Sequence, residues 1–229
     1  MFNLFFDKVY VISLTSEIIR RKNITNNLKS LDIDFQFINA ISYKKIDIDS
    51  MKDNNKIAYE NNDFYCTKRC TCKGKGHYLR PTSIANQLSH ELAWKYASKN
   101  KENILILEDD VLIDSNLNNL MLDYEKAFPK KWDILYFSKN GVQQSKRKFQ
   151  KIKKGVSGSH MYAISSKAAT IALENLYPLR AHVDGYMDRF LIRKSEFYKI
   201  PKLRNCFITQ DKFGINMSYD SDVKTTMLN

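Results

Sequence analysis

The first forty residues carry the pattern that most constrains the fold of this chain. Residues 9–14 (VYVISL) and 35–38 (FQFI) are short apolar runs that predict β-strands. Between them, Thr15 or Ser16 is expected to cap an amphipathic helix. A strand, a helix and a second strand within about thirty residues are typical of a parallel strand pair joined by a right-handed crossover. The pattern therefore predicts an α/β protein.

The remaining hydrophobic pattern continues this alternation of strands and helices. The unbroken apolar run at 104–107 (ILIL) predicts a strand that is covered by helices on both faces. No repeat and no linker divides the sequence, so we predict one domain over residues 1–229. The other predicted elements are helices from Thr82 or Ser83 to 97 and over 117–128, 167–176 and 184–194, strands over 132–138, 160–165, 197–200 and 206–209, and a polar tail from 218.

A polar stretch over 42–81, rich in Lys, Asp and Asn, interrupts this pattern and predicts an irregular insertion. It contains Cys66, Cys70 and Cys72, followed by His77. These four side chains could hold a tetrahedral zinc ion, but their spacing fits no common zinc finger, so a loop with reduced thiols is the favoured interpretation. A disulfide is the least favoured of the three in a reducing compartment.

Composition and charge narrow the class of protein. The 229 residues, 43% of them hydrophobic, are enough to bury a sizeable core, and no run of about 18 apolar residues predicts a membrane span. The N-terminal MFNLFF is followed at once by charged residues, so an intracellular, cytoplasmic protein is expected. The net charge of +12 suggests an acidic partner such as nucleic acid, an anionic membrane surface or a phosphorylated ligand. The Lys residues responsible are scattered along the chain, which weakens this inference.

Three consecutive acids, Glu108, Asp109 and Asp110, follow the apolar run ILIL. In a parallel α/β sheet, ligands bind at this place, beyond the carboxyl ends of the strands. Strand alternation predicts Glu108 and Asp110 on one side and Asp109 on the other. Two converging carboxylates suit a divalent cation that in turn binds a diphosphate. The triplet alone leaves an alternative equally open, in which the acids cap a loop or interact with the dipole of a following helix.

Five segments, in their order along the chain, resemble sequence blocks of one enzyme family. They are VYVISLTSEIIRRKNITNNLKSLDIDFQFINAI, NQLSHELAW, ILILEDDV, GSHMYAISSKAA and PLRAHVDGYM. Together they resemble glycosyltransferase family 25, which contains lipopolysaccharide galactosyltransferases and relatives of collagen galactosyltransferase. The resemblance implies a GT-A type, Rossmann-like α/β fold with a mostly parallel central sheet flanked by helices. It also implies a UDP-sugar donor and a divalent metal, usually Mn2+.

The resemblance also implies a set of donor-binding residues. Arg20 and Arg21 follow the first strand, where cations meet phosphate oxygens, and Arg21 is favoured; alternatively, both are solvated surface cations. Ser89 and His90 lie on a helix otherwise built for packing, so a buried structural histidine is an equal alternative. Trp94 is assigned to the core. The donor-binding residues predicted in this way are Ser13, Arg21, Ser89, His90, Glu108 and Asp109.

Asp184, in the segment HVDGYMDRF, is the candidate catalytic base. Transfer to a hydroxyl with inversion requires a carboxylate that takes the proton of the acceptor, whereas the alternative role for Asp184 is a helix N-cap. Asp188 and Asp211 are the reserve candidates for the base, and Asp211 is also the reserve candidate for a metal ligand. Imidazole is a good further ligand for Mn2+, although a histidine can equally serve as a hydrogen-bonding loop residue. The predicted metal ligands are Glu108, Asp110, His160 and His182.

The predicted function is transfer of a hexose, expected to be galactose, from a UDP-sugar to a hydroxyl of a lipopolysaccharide-type glycan or of a hydroxylated side chain. Ser13, Thr82 and Asn86 stand where the family usually has Asn, Gly and Cys, so donor and acceptor identity stay open. One alternative is a catalytically inactive module with the same fold. Another is a polyanion-binding protein that uses the basic run 143–154, with nucleic acid the less favoured partner. The same run could hold the enzyme at the inner face of an anionic membrane.

Overall fold

The computed structural model of this chain describes residues 5–58, 79–137, 147–153, 155–156, 158–193, 203–211 and 213–216. The cysteine cluster at 66–77, the predicted strand at 197–200 and the predicted tail from 218 lie outside the described residues. Within the described ranges, no helix is both long enough and apolar enough to cross a membrane.

Strands and helices alternate along the described residues, as the sequence predicts. The helices are α1 (Ile18–Ser30), α2 (Ile48–Asp53), α3 (Pro81–Asn100), α4 (Leu117–Glu125), α5 (Ser166–Glu174) and the single turn α6 (Val183–Gly185), together with a 3-10 turn at Tyr43–Lys45 and a π-helical segment at Tyr186–Arg193. The strands are β1 (Lys8–Ser13), β2 (Gln36–Asn39), β3 (Ile104–Glu108), β4 (Val111–Ile113), β5 (Ile134–Tyr136), β6 (Phe149–Lys151), β7 (Met161–Ile164), β8 (Cys206–Thr209) and β9 (Gly214–Asn216).

Seven of the strands in the described residues form one central sheet, in the order β2-β1-β3-β7-β5-β8-β6. β1 pairs in parallel with β2 and with β3, and β5 pairs in parallel with β8. β7 is antiparallel to β3 and β5, and β6 is antiparallel to β8. Five of these seven strands therefore point the same way, which is the mostly parallel sheet that the resemblance implies. β4 and β9 form a separate antiparallel pair.

Helices cover both faces of the central sheet, and β3 contributes side chains to both cores. Ile104 and Ile106 pack in a cluster with α3, α5 and the π-helical segment. Leu105 and Leu107 pack in a second cluster with α1 and α4. Full burial of such a side chain stabilises the fold by about 1.5–3 kcal/mol relative to exposure. The prediction that the ILIL run is covered on both faces is confirmed.

The N-terminal strand–helix–strand unit is present, with a correction at the start of its helix. α1 begins at Ile18, and Glu17 precedes it without a capping side-chain hydrogen bond, so the predicted cap by Thr15 or Ser16 is wrong. A tight turn occupies this place instead. The amide of Glu17 donates to the carbonyl of Leu14, and the amide of Ile18 donates to the carbonyl of Ser16, both at 3.0 Å.

The sequence pattern did not predict α2, β4, β6 or β9. The three strands have three residues each, which is too short for hydrophobic periodicity to show. The described part of the 42–81 insertion is not wholly irregular, because it forms the 3-10 turn and α2. Asp47 caps α2 by accepting a hydrogen bond from the amide of Ser50 at 3.0 Å. β6 lies within the basic run 143–154 and pairs with β8.

Candidate active site

A cavity of about 230 Å³ opens at the carboxyl ends of β1 and β3. These strands are parallel neighbours, and Ile12 lies opposite Glu108, so both strands end at the same edge of the sheet. The start of α1, the first turns of α3, and Ala40, Ile41 and Tyr43 beyond β2 complete the wall. Ligands of open α/β sheets bind in this position.

All three acids of the triplet line this cavity. The predicted alternation, with Asp109 on the opposite side from Glu108 and Asp110, is wrong. β3 ends at Glu108, and Asp109 and Asp110 form the turn that leads into β4. The two-residue repeat of a strand does not extend into a turn, so all three carboxyl groups can face one space.

Asp109 is held by two side chains from the N-terminal unit. Its Oδ2 accepts a hydrogen bond from Ser13 Oγ at 2.6 Å, and its Oδ1 accepts one from Arg20 Nη1 at 3.4 Å. Ser13 ends β1 and Arg20 lies in the first turn of α1, and both line the cavity. The Arg20 side chain remains about half exposed. Arg20 is therefore a cation at the cavity wall, with donors still available to a ligand.

The structure places Arg21 elsewhere. Its guanidinium carbon lies 4.0 Å from the centre of the Phe37 ring, and its Nη2 donates to Asn39 Oδ1 at 3.1 Å. Both partners belong to β2, and Arg21 is not among the residues that line the cavity. Of the two adjacent arginines, the helix turn thus directs Arg20 toward the acids and Arg21 toward the sheet edge.

Glu108 is held as a carboxylate by its neighbours. Its Oε1 accepts a hydrogen bond from Ser159 Oγ at 2.7 Å and lies 3.1 Å from His90 Nε2. Burial by itself raises the pKa of Glu108, but the hydrogen bonds from His90 and Ser159 act against burial, and the pKa lies below its ordinary value. Glu108 therefore stays ionised where it lines the cavity.

Asp110 is in the opposite electrostatic situation. Burial, followed by the negative charge of Glu108, raises the pKa of Asp110 to about 6, although the positive charge of Arg20 acts in the other direction. A carboxyl group with a raised pKa gains from any cation that approaches it. Asp110 thus marks the part of the cavity where positive charge is favoured.

Ser89 and His90 both belong to α3, and the structure gives them different places. Ser89 lines the cavity, where its Oγ accepts from the amide of Ile41 at 2.9 Å and donates to the carbonyl of Ala85 at 2.7 Å. His90 is fully buried behind the cavity wall and contacts Glu108. His90 is therefore a satisfied buried histidine, and it also touches an acid of the site.

Sequence reasoning missed Ser159 and Tyr162, and it assigned Trp94 to the core alone. Trp94 is indeed fully buried, but its Nε1 donates to the hydroxyl of Tyr162 at 2.9 Å. The Tyr162 hydroxyl lies 2.9 Å from Nδ1 of His90. The sequence signal for Ser159 and Tyr162 is the segment GSHMYAI, in which polar side chains stand at and near the start of an apolar strand.

Asp184 does not line the cavity. Its Oδ2 accepts a hydrogen bond from the amide of Gly158 at 3.1 Å, and its Oδ1 is buried without a hydrogen-bond partner among the described residues. The next residue, Ser159, binds Glu108, so residues 158 and 159 connect the two carboxylates. The alternative role of N-cap is wrong, because the cap of α6 is His182.

The two candidate histidine ligands are not brought together. His160 is buried beside Glu108, whose amide donates to the carbonyl of His160 at 2.9 Å. His182 is exposed, and its Nδ1 accepts from the amide of Gly185 at 3.4 Å, which is the helix cap. Neither histidine lines the cavity. Only His160 is near the acids.

The reserve acids have structural partners outside the cavity. Asp188 is buried, pairs with Arg193 and accepts a hydrogen bond from the amide of Val156 at 3.2 Å. Asp211 accepts from the hydroxyl of Tyr124 at 2.9 Å. These contacts satisfy both carboxylates, so neither position requires a bound ligand.

The donor set of the cavity restricts how it could hold a metal. In the part of the chain that the structure describes, no group of three or more His, Cys, Asp or Glu side chains could hold a metal ion. Glu108 and Asp110 both line the cavity, and the pKa of Asp110 is raised by burial and, after it, by the negative charge of Glu108. This set fits an ion bound by one or two carboxylates plus phosphate oxygens, as Mg2+ and similar ions often are.

Known proteins resemble this chain both in structure and in sequence. A crystal structure of a glycosyltransferase involved in the glycosylation of the major capsid of PBCV-1 matches 96% of this chain and 98% of that chain, with a TM-score of 0.50 and 10% identity, a likeness of fold alone. A Haemophilus influenzae protein named "Putative glycosyltransferase" is 31% identical over 215 residues, which are 88% of this chain and 70% of that protein. A "Glycosyltransferase 25 family member" of Aedes aegypti is 26% identical over 148 residues, which are 62% of this chain and 22% of that protein.

The sheet, the acid-lined cavity at its carboxyl edge and these likenesses define the class of the protein, a glycosyltransferase. The model of Glycosyltransferase family 25 (LPS biosynthesis protein) matches residues 6–187, from the strand β1 to the π-helical segment. The chain belongs to this family, as its five sequence segments predict.

Proposed function

We propose that this glycosyltransferase transfers a hexose, with galactose as the first candidate, from a UDP-sugar to a hydroxyl group. The observation that carries the proposal is the cavity lined by all three acids of the triplet, in which burial, followed by the negative charge of Glu108, raises the pKa of Asp110 and so favours the approach of a cation. A nucleoside diphosphate is itself an anion, so it can bind beside these carboxylates only if cations neutralise the repulsion between them. Arg20 supplies one of them at the cavity wall.

A divalent metal such as Mn2+ is the second cation of the proposal. Glu108 and Asp110 would hold it together with oxygens of the diphosphate. When bound, the metal neutralises the negative charge that develops on the leaving diphosphate. Ser13 and Arg20 act on this arrangement through Asp109, because their hydrogen bonds hold the turn that carries Asp110.

Asp184 is the proposed base that takes the proton of the acceptor hydroxyl. Its Oδ1 has no hydrogen-bond partner in the described ranges and therefore keeps its capacity to accept a proton. Its Oδ2 is held by Gly158, next to the residue that holds Glu108. This connection supports a place for the acceptor close to the donor cavity.

The proposed acceptor is a sugar hydroxyl of a lipopolysaccharide-type glycan, and a hydroxylated side chain is the second choice. The family description, which names LPS biosynthesis, supports the glycan. A cytoplasmic enzyme that contacts the inner face of an anionic membrane would meet such an acceptor on its lipid carrier. Within the described part of the basic run, Lys148 pairs with Asp123 at 2.5 Å, so this residue adds little to polyanion binding.

The test is a screen of UDP-hexoses for transfer and hydrolysis, with and without Mn2+, on wild-type protein and on Asp110→Asn. We expect turnover of at least one UDP-hexose only with a divalent metal, and calorimetry should show that Asp110→Asn loses metal-dependent UDP binding. Asp114→Asn is the matched control, because Asp114 is an exposed acid just beyond β4. Equal Mn2+ and UDP affinity in wild type and Asp110→Asn would contradict the site. UDP binding without any turnover would favour the inactive binding module.

A further inference from the structure

We propose that Trp94, Tyr162 and His90 form a one-way chain of hydrogen bonds that holds Glu108 toward the cavity, and that His90 and Tyr162 are positioning residues for the transfer reaction. The inference rests on the proposed function, since Glu108 matters for transfer only if the cavity binds the donor. It gives a role to the buried polar groups of α3 and β7 that donor contact does not explain.

The hydrogen-bond chain has no gap, and three of its four side chains are closed to solvent. Trp94 Nε1 lies 2.9 Å from the Tyr162 hydroxyl, that hydroxyl lies 2.9 Å from His90 Nδ1, and His90 Nε2 lies 3.1 Å from Glu108 Oε1. Trp94, Tyr162 and His90 are each 0% exposed, whereas the side chain of Glu108 is 20% exposed. Glu108 is therefore the one member of this chain that a ligand can reach.

The chemistry of the end members sets the direction of the chain. An indole N–H can only donate, and a carboxylate can only accept. The Tyr162 oxygen therefore accepts from Trp94, and the single hydroxyl hydrogen of Tyr162 points to Nδ1 of His90. His90 then carries its hydrogen on Nε2 and donates it to Glu108. Every hydrogen along the chain has an acceptor in this arrangement.

The opposite tautomer of His90 leaves two groups unsatisfied. With the hydrogen on Nδ1, the lone pair of Nε2 would face the Glu108 carboxylate at 3.1 Å, and the hydroxyl hydrogen of Tyr162 would lose its acceptor in the chain. A buried polar group without its partner has lost its hydrogen bonds to water and gained none in the protein, which destabilises that arrangement. Glu108 and Tyr162 together thus select the tautomer of a histidine that has no contact with solvent.

The secondary structure explains why these residues meet. His90 and Trp94 are four residues apart on α3 and so share one face of the helix. Tyr162 lies opposite Ile106 in the β3–β7 register, and Glu108 follows Ile106 by two residues on the same face of β3. That face is the one against which α3 packs.

The consequence for Glu108 is a fixed orientation of its carboxylate. Among the described residues, the side-chain hydrogen bonds from His90 and Ser159 both end on Oε1, which leaves Oε2 for a ligand. Partners of this kind, one shell away from a bound ion, typically change affinity or activity by about 10-fold to 100-fold when they are removed.

The first test reads the tautomer directly, by 15N NMR of the histidine side chains in the ligand-free protein. The protein has four histidines, and the signals of His90 are those missing from the spectrum of His90→Gln. We expect His90 as the neutral Nε2–H tautomer in the wild type. In Tyr162→Phe the hydrogen should stay on Nε2, which Glu108 still holds, and the chemical shift of Nδ1 should change because Nδ1 loses its hydrogen-bond donor. An Nδ1–H tautomer or a doubly protonated imidazole in the wild type, or an unchanged Nδ1 shift in Tyr162→Phe, would overturn the proposed hydrogen-bond chain.

Tyr186→Phe is the matched control for stability. Tyr186 is a buried tyrosine whose hydroxyl donates to the carbonyl of Ala172 at 2.7 Å, outside the chain. Both variants lose one buried hydroxyl, so both should lose stability, and Tyr162→Phe should lose more because it leaves two partners unsatisfied. Transfer activity should fall about 10-fold only in Tyr162→Phe. Equal activity in the two variants would contradict the positioning role.

The second test is rescue at position 90. The side-chain amide of Gln can donate from a position close to that of imidazole Nε2, whereas Leu cannot donate. We expect kcat/KM about 10-fold to 100-fold below wild type in His90→Leu and largely recovered in His90→Gln. Equal losses in both variants would overturn the role of the N–H donor. Absence of transfer in the wild type would instead overturn the proposed function, while the tautomer of His90 is read without any donor.

Discussion

At the scale of single residues, the site is defined by the contacts and charges around each carboxyl group of the segment 108–110. Asp109 is paired with Arg20 and Ser13, and Glu108 is stabilised as an anion by hydrogen bonds. Asp110 has a pKa raised to about 6 because it is buried beside the charge of Glu108. Three adjacent acids thus have three different electrostatic environments, which their sequence positions alone do not distinguish.

The raised pKa of Asp110 predicts a pH-dependent loss of stability in the metal-free protein. The pKa of Asp110 is about 6 in the folded state and 3.8 in the unfolded state, so the folded state binds the proton more tightly. The stability that this proton contributes is fully present below about pH 4 and is lost as the pH rises to about 6. We expect Asp110→Asn to be more stable than wild type at pH 7.5, by at most about 3 kcal/mol, and the gap to close near pH 4.

Urea unfolding of both proteins at pH 4 and pH 7.5, with a chelator present, measures this difference. Asp114→Asn again provides the control, and its stability relative to wild type should show no comparable change with pH. A constant difference between Asp110→Asn and wild type at both pH values would contradict the raised pKa of Asp110.

Asp184 is predicted to act in turnover and not in donor binding. Asp184→Asn keeps the shape of the side chain and an oxygen that can accept from Gly158. We expect UDP and Mn2+ affinities near wild type and a fall in kcat of about 100-fold to 10,000-fold, the usual effect of a positioned base. Steady-state kinetics and calorimetry measure the two quantities.

Asp133→Asn is the matched control for Asp184. Asp133 is also a buried carboxylate that accepts from backbone amides, those of Arg204 and Asn205, but it lies at the start of β5, away from the carboxyl edge of the sheet. Its substitution should lower stability and leave kcat near wild type. If kcat of Asp184→Asn stays near wild type, Asp184 is not the base.

At the scale of elements, the short pair β4–β9 supports the turn that carries the acids. β4 starts one residue after Asp110 and pairs with β9, where Val111 lies opposite Asn216 and Ile113 opposite Gly214. A Cβ atom at Gly214 would lie 2.7 Å from Cγ2 of Val111 and 3.1 Å from Sδ of Met161. Glycine is therefore required where β9 passes close to β4 and β7.

Gly214→Ala is predicted to destabilise the protein by about 1–3 kcal/mol, because the added methyl group forces the packed strands apart. Gly155→Ala is the control, since its Cβ atom would meet the flexible end of Arg193 at 3.3 Å. Thermal unfolding should show the larger loss at Gly214. A loss at Gly155 equal to or above that at Gly214 would contradict this account of the β4–β9 contact.

At the scale of the whole molecule, the sequence by itself determined the order of the long elements, the burial of β3 on both faces and the place of the acids at a strand end. These features follow from hydrophobic periodicity, which is local to each segment. The tertiary structure decided that Arg20 rather than Arg21 reaches the cavity, and that His90 supports Glu108 from behind. It also decided that Asp184 lies outside the lining of the cavity, where it accepts a hydrogen bond from the amide of Gly158. Such contacts join residues up to 96 positions apart, as Ser13 and Asp109 are. They depend on strand order and on the rotation of each helix against the sheet, and neither is encoded in a local pattern.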